Sequence, residues 1–180
     1  MRYIMKKLLV IALALVMCLS ALAGCSKKEE PEAPSGMKLA SGDNVDYYMY
    51  VPEMWRVDKS DLYTSANFSS GDPTSISATA YAISSDIKSV GDWWAGFEKE
   101  MATVYTEISE VEETDAKLDG IKGKEYAFTA SLAGQKYNFI ITAVIKDYYV
   151  YYITYTSVPE YNENHLKERT QMVEAFKFEK

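Results

Sequence analysis

The sequence predicts an α+β fold, a mainly antiparallel sheet held between helices as an α/β/α sandwich. Three observations carry this. Several segments alternate apolar and polar residues with the two-residue period of strands, and the turns between them are short enough to force antiparallel hairpins. Two segments carry an apolar stripe at helical spacing. The segment 137–145 is apolar on both sides: Tyr137, Phe139, Ile141, Ala143 and Ile145 point one way, Ile140 and Val144 the other. In the next strand Val150 and Ile153 also fall on opposite faces. A strand apolar on both faces needs cover on both, and two helices supply one layer each.

In chain order, the segment 45–51 reads as a strand with Val45, Tyr47, Met49 and Val51 on one face and Tyr48 and Tyr50 on the other. Pro52 ends it, because proline donates nothing to a ladder. A weaker strand covers 62–68, a turn follows at Gly71-Asp72-Pro73, and 75–82 alternates Ile76, Ala78, Ala80 and Ala82 with Ser77, Thr79 and Tyr81. Ser89 and Asp92 have capping-box spacing at the head of a helix whose apolar face is Val90, Trp94, Phe97, Met101 and Val104. Three strands then span 121–129, 135–146 and 148–157, after the turn signals Asp119-Gly120, Ala133-Gly134 and Lys146-Asp147. A further strand within 106–115 carries an acidic run. Pro159 opens the second helix, with Leu166, Val173 and Phe176 as its inner stripe, and 176–178 closes the chain as a short strand.

The 180 residues allow one domain of ordinary size. A net charge of -7 excludes a nucleic-acid binder, which needs a basic face against phosphates. Two Cys and one His nearly exclude a disulfide scaffold, a structural zinc site and a His-centred triad.

The N-terminus has its own logic. Arg2, Lys6 and Lys7 precede the unbroken apolar run 8–19, which is too short to span a bilayer and has the length of a secretory signal. The order Leu22-Ala23-Gly24-Cys25 that follows resembles the lipobox of bacterial lipoproteins. The resemblance implies that residues 1–24 are a cleaved signal peptide and that the Cys25 thiol carries a diacylglyceryl group. Acyl chains of this kind hold a protein stably at a membrane. Cleavage removes three basic residues and leaves 16 of the 19 against 26 acidic ones, a net charge of -10. The segment 25–41, with Pro31, Pro34 and mixed charges, reads as a flexible tether, and 42–180 as the folded domain.

That domain resembles the PsbP-like family. The matching pieces are Tyr50-Val51-Pro52-Glu53-Met54-Trp55, the aromatic helix around Trp93-Trp94, Tyr152-Ile153-Thr154-Tyr155, Pro159-Glu160-Tyr161 and Phe176-Lys177-Phe178. The resemblance implies an antiparallel sheet between helices and mostly non-catalytic binding or assembly roles. It supplies no metal or partner residue by position.

Nothing in the sequence spells a catalytic site or a cofactor. His165, in Glu163-Asn164-His165-Leu166-Lys167, reads as a surface residue on a charged helix. Glu110, Glu112, Glu113 and Asp115 read as a solvated acidic edge, not a metal site, because the calcium-loop order is absent. The remaining signal is tyrosine, 15 in all, with Tyr148, Tyr149, Tyr151, Tyr152 and Tyr155 close together. These are core rings with wet tips, or an aromatic patch of Trp93, Tyr149, Tyr151 and Tyr152 that contacts a partner or ligand. The expectation is therefore an extracytoplasmic module, lipid-anchored to the cell membrane (or to an outer membrane where the host has one). It would bind an envelope protein or a small ligand, no nucleic acid, and catalyse nothing. The alternatives are an envelope hydrolase using carboxylates that meet only in the fold, and an accessory solute-binding lipoprotein.

Overall fold

The computed structural model describes residues 31–59 and 64–179. The segment read as signal peptide and Cys25 lie outside the described residues. The strands are β1 (Met37–Leu39), β2 (Tyr47–Tyr48), β3 (Tyr50–Pro52), β4 (Arg56–Lys59), β5 (Thr64–Asn67), β6 (Ser75–Ala82), β7 (Glu112–Leu118), β8 (Ile121–Leu132), β9 (Gln135–Lys146), β10 (Tyr149–Ser157) and β11 (Lys177–Phe178). The helices are α1 (Val90–Met101) and α2 (Leu166–Ala175), the second led in by a 3-10 turn, Pro159–His165. Seven strands form the main sheet, in the order β4-β5-β6-β10-β9-β8-β7, every pair antiparallel. Two small ribbons, β1 with β3 and β2 with β11, complete the α2 side.

The three long hairpins are built alike. Leu118 pairs with Ile121, Leu132 with Gln135 and Lys146 with Tyr149, so each loop has two residues. Both residues of each loop have positive φ: Asp119 46° and Gly120 83°, Ala133 50° and Gly134 83°, Asp147 50° and Tyr148 65°. This is the turn whose twist matches that of the strands. Tyr148 is therefore a turn residue and not the first residue of the strand, as its sequence implied.

The two faces of the sheet are two cores. Trp93, Trp94 and Met101 of α1 pack on Tyr126, Phe128, Phe139, Ile141, Ala143 and Val150. On the other face Met172 and Phe176 pack with Trp55, Ile76, Ala78, Val144, Ile153 and Tyr155, joined by Tyr47, Met49 and Val51. The double-sided pattern of 137–145 is thus realised as read. Burying each large apolar side chain contributes about 1.5–3 kcal/mol, which is why neither face can be left bare.

At the head of α1, Ser89 Oγ accepts from Asp92 N–H at 3.1 Å. The returning bond goes one residue further out than a capping box requires, from Lys88 N–H to Asp92 Oδ2 at 3.0 Å. Helix α1 ends at Met101, so Val104 leaves the apolar stripe and is 59% exposed. The inner face of α2 is Arg169 and Met172, with Leu166 and Val173 only partly buried, because the sheet beneath offers polar partners to Arg169.

Several boundaries differ from the sequence reading. Met37–Leu39, read as tether, is strand β1 against β3. The strand read at 45–51 is split at Met49, whose carbonyl accepts from Ala40 N–H and whose N–H donates to Ser41 Oγ. Its two halves serve different partners, β11 and β1. β4 was not legible, and the strand read within 106–115 begins only at Glu112.

Candidate functional site

His165 is not on the surface. It is 6% exposed, its ring 4.1 Å from Phe68 and 5.6 Å from Trp55. Nε2 lies 3.0 Å from Asp72 Oδ2 and Nδ1 2.6 Å from Glu168 Oε2. Both nitrogens donate when the ring is protonated, whereas a neutral ring satisfies only one of the two carboxylates. Trp55 Nε1–H also donates to Glu168 Oε2, at 3.0 Å. Burial opposes ionisation of Asp72, but the Thr74 hydroxyl and amide and His165 outweigh it and hold the carboxyl below its usual range. A turn later Arg169 bonds Glu125 and Thr142. These groups are committed to one another: they tie the β5–β6 connection and the middle of the sheet to α2. The His165–Glu168 spacing was visible in sequence; the partnership with Asp72, 93 residues away, was not.

The four aromatic residues singled out in sequence do not form one patch, because the sheet lies between them. Trp93 and Tyr152 meet on the α1 face at 5.3 Å, and Tyr149 and Tyr151 on the α2 face at 6.3 Å. Trp93 and Tyr151 are buried at 3% and 2% exposure, while Tyr149 is exposed. Alternation along β10 dictates this, since 149 and 151 share a face and 152 takes the other.

The exposed rings gather elsewhere. Among the described residues six large apolar side chains are exposed, and three of them, Tyr81, Tyr148 and Tyr149, lie at one end of the sheet. Tyr149 stands opposite Ala82 and Lys146; Tyr81 stands opposite Val150; Ile83 N–H donates to Tyr148 C=O at 2.9 Å. Tyr81 is anchored by Trp93 Nε1–H, which donates to its hydroxyl at 2.7 Å, and it packs edge-on against Tyr152. A buried indole thus positions an exposed phenol. Tyr81 and Tyr148 were missed because the first reads as the polar side of a strand and the second as its start.

The charges at this end are two carboxylates, Asp46 and Asp147, and one lysine, Lys146. The Tyr151 hydroxyl donates to Asp46 Oδ2, and its pKa is raised by burial first, then by Asp46 and Asp147. Lys146 is held 2.7 Å from Asp147 and lies over the Phe178 ring.

Two other features lie around the β7–β8 hairpin. In the acidic run, Glu113 and Asp115 hold Lys124 at 2.8 and 3.1 Å. Between the α1 N-terminus and the β7–β8 hairpin is an open cleft of about 530 Å³, lined in part by Lys88, Lys122 and Lys124. Beside it Tyr126 is fully buried and stacks on Trp94 at 3.8 Å; burial, then Glu113, pushes its hydroxyl to about 12. Among the described residues no three His, Cys, Asp or Glu side chains are grouped to hold a metal ion.

No family model and no curated protein matches the sequence. Solved structures share its fold. Cyanobacterial PsbP from Synechocystis superposes with a TM-score of 0.59 at 8% identity, covering 83% of this chain and 96% of that one. LpqN of Mycobacterium tuberculosis, described as involved in cell envelope biogenesis, gives 0.57 at 14% identity, covering 74% and 83%. The Saccharomyces cerevisiae Ran-binding protein Mog1p gives 0.54 at 10% identity, covering 79% and 95%. Likeness at these identities is likeness of backbone: the chain has the α+β fold of PsbP and Mog1p.

Proposed function

We propose that the chain is a lipid-anchored, extracytoplasmic binding module of the cell envelope that catalyses nothing. The observation that carries the binding reading is the gathering of Tyr81, Tyr148 and Tyr149, all exposed, at one end of an otherwise well-packed sheet. Tyrosine gives large, rigid contact area at small entropic cost, which is why it is enriched where proteins bind one another. Two structural relatives support the same direction: one is described as involved in cell envelope biogenesis, another as a Ran-binding protein. The anchor rests on Leu22-Ala23-Gly24-Cys25 behind its apolar run. Among the described residues no helix is long and apolar enough to cross a membrane.

Two experiments test the two halves. Cys25→Ala moves the protein from the membrane to the soluble fraction and ends fatty-acid labelling; unchanged fractionation with continued labelling removes the anchor. Formaldehyde crosslinking of intact cells gives a discrete complex that weakens in the Tyr81→Ser, Tyr149→Ser variant. Absence of any complex, or an equal one in both, contradicts the binding reading.

A further inference from the structure

We propose that the β9–β10 turn, with Tyr148 at its tip, is a docking element for a protein partner that presents an arginine or lysine beside a pocket. This rests on the binding reading above and assigns it a surface and a partner chemistry.

The first ground is backbone conformation. The fold uses the same two-residue turn three times, and the second loop residue is Gly120, Gly134 and Tyr148. Left-handed backbone is natural for glycine and unfavourable for a residue with a Cβ. Tyr148 is 75% exposed, so its ring returns little to the core. An unfavourable conformation that keeps a large aromatic ring in water points to a use for the ring outside the fold.

The second ground is shape. A small molecule needs a concave, enclosing site. A hairpin tip is convex and suits insertion into a pocket on another macromolecule. Tyr149 on one face and Tyr81 on the other flank it.

Charge selects the partner. Asp46 accepts from the Tyr151 hydroxyl beneath the tip, and Asp147 at the tip is paired with Lys146, which leaves one carboxylate in excess at this end. Exposed phenol rings beside carboxylates suit a guanidinium or ammonium group, which gains from the ring face and the carboxylate together. The same carboxylates disfavour the anionic headgroups of a membrane.

Position agrees. Met37, where the chain enters the domain, pairs with Pro52, whose carbonyl accepts from Trp55 N–H. Trp55 contacts His165, which holds Asp72, just before the first residue of β6. Tyr148 follows the opposite end of that strand, since Ala82 pairs with Tyr149. Through these contacts the entry point lies toward the Asp72 end of β6, and the tip lies past its Ala82 end.

The test uses the full-length chain in the cells that make it. The photo-crosslinker p-benzoylphenylalanine replaces Tyr148, Tyr81 or, as an exposed control at the far end, Met54. Light should give a discrete protein adduct from position 148, several-fold stronger than from 54, and its crosslinked peptide should carry Arg or Lys. Asp46→Asn with Asp147→Asn keeps one acceptor oxygen at each position and removes the charge; it should lower the yield from 148 by about threefold with the melting temperature unchanged. A lipid adduct, equal yields from 148 and 54, or a yield unmoved by the charge removal overturns the proposal. A discrete adduct from 81 or 54 but not from 148 overturns this surface and keeps the binding reading. No protein adduct from any position removes both.

Discussion

Replacing Tyr148 by glycine should make the domain more stable. At φ 65° the tyrosine sits in the left-handed region, which costs an L-residue about 1–2 kcal/mol. Glycine removes that cost but returns about 0.5–1 kcal/mol through the greater freedom of the unfolded chain. The ring is 75% exposed, so little packing is lost, and the bond from Ile83 N–H to the carbonyl of residue 148 is independent of the side chain. The net gain is roughly 0.5–1 kcal/mol, or about 2–4 °C in melting temperature. Urea unfolding of the soluble mature chain, carrying Cys25→Ala, measures it. The reciprocal change, Gly134→Ala, meets no atom within 4 Å, so its cost of about 1 kcal/mol is conformational alone. A loss of stability in Tyr148→Gly refutes the reasoning, because it would mean that the ring packs on the fold and is not displayed by it.

Gly123 poses the opposite case. A Cβ there would lie 1.9 Å from the Ala143 carbonyl oxygen and 2.7 Å from Val144 Cγ1, so Gly123→Ala must push β8 from β9 and should cost about 3 kcal/mol or more in denaturant unfolding. The acid limb of stability should follow Asp72. Its folded pKa lies below its unfolded one, so its contribution is complete above about pH 4 and is lost as pH falls through the folded value. Asp72→Asn should flatten that limb below about pH 4, measured by unfolding at each pH. His165→Gln, which leaves the carboxylates of Asp72 and Glu168 with fewer donors, should cost about 2–4 kcal/mol in unfolding free energy at neutral pH.

Legibility in the sequence followed the range of the interaction. The faces of 137–145, the Ser89–Asp92 cap and the Asp119-Gly120 and Ala133-Gly134 turns are local patterns, and the structure contains them. The third turn lacked the glycine that marks such a loop, so it read one residue early, at Lys146-Asp147, and Tyr148, the most exposed tyrosine of the aromatic end, read as strand. His165 was misplaced because a polar neighbourhood in sequence said nothing of Asp72, Trp55 and Phe68, which only the fold brings around it. Trp93 and Tyr151 were left open between core and contact patch because residue type alone does not separate a ring in the core from a ring in water; the structure puts both in the core. Tyr152 and Trp93 share the other face from Tyr149 and Tyr151, and a single patch of all four would have required the sheet to be absent.

The central claim is that the tyrosine end is covered by a partner on the cell. Hydroxyl-radical footprinting read by mass spectrometry compares side-chain oxidation in the purified domain with that in intact cells. The account predicts that Tyr148 and Tyr149 are oxidised several-fold more slowly on the cell, while exposed Met54 at the far end changes little. Equal oxidation of Tyr148 in both states, or protection of Met54 with Tyr148 left open, contradicts it.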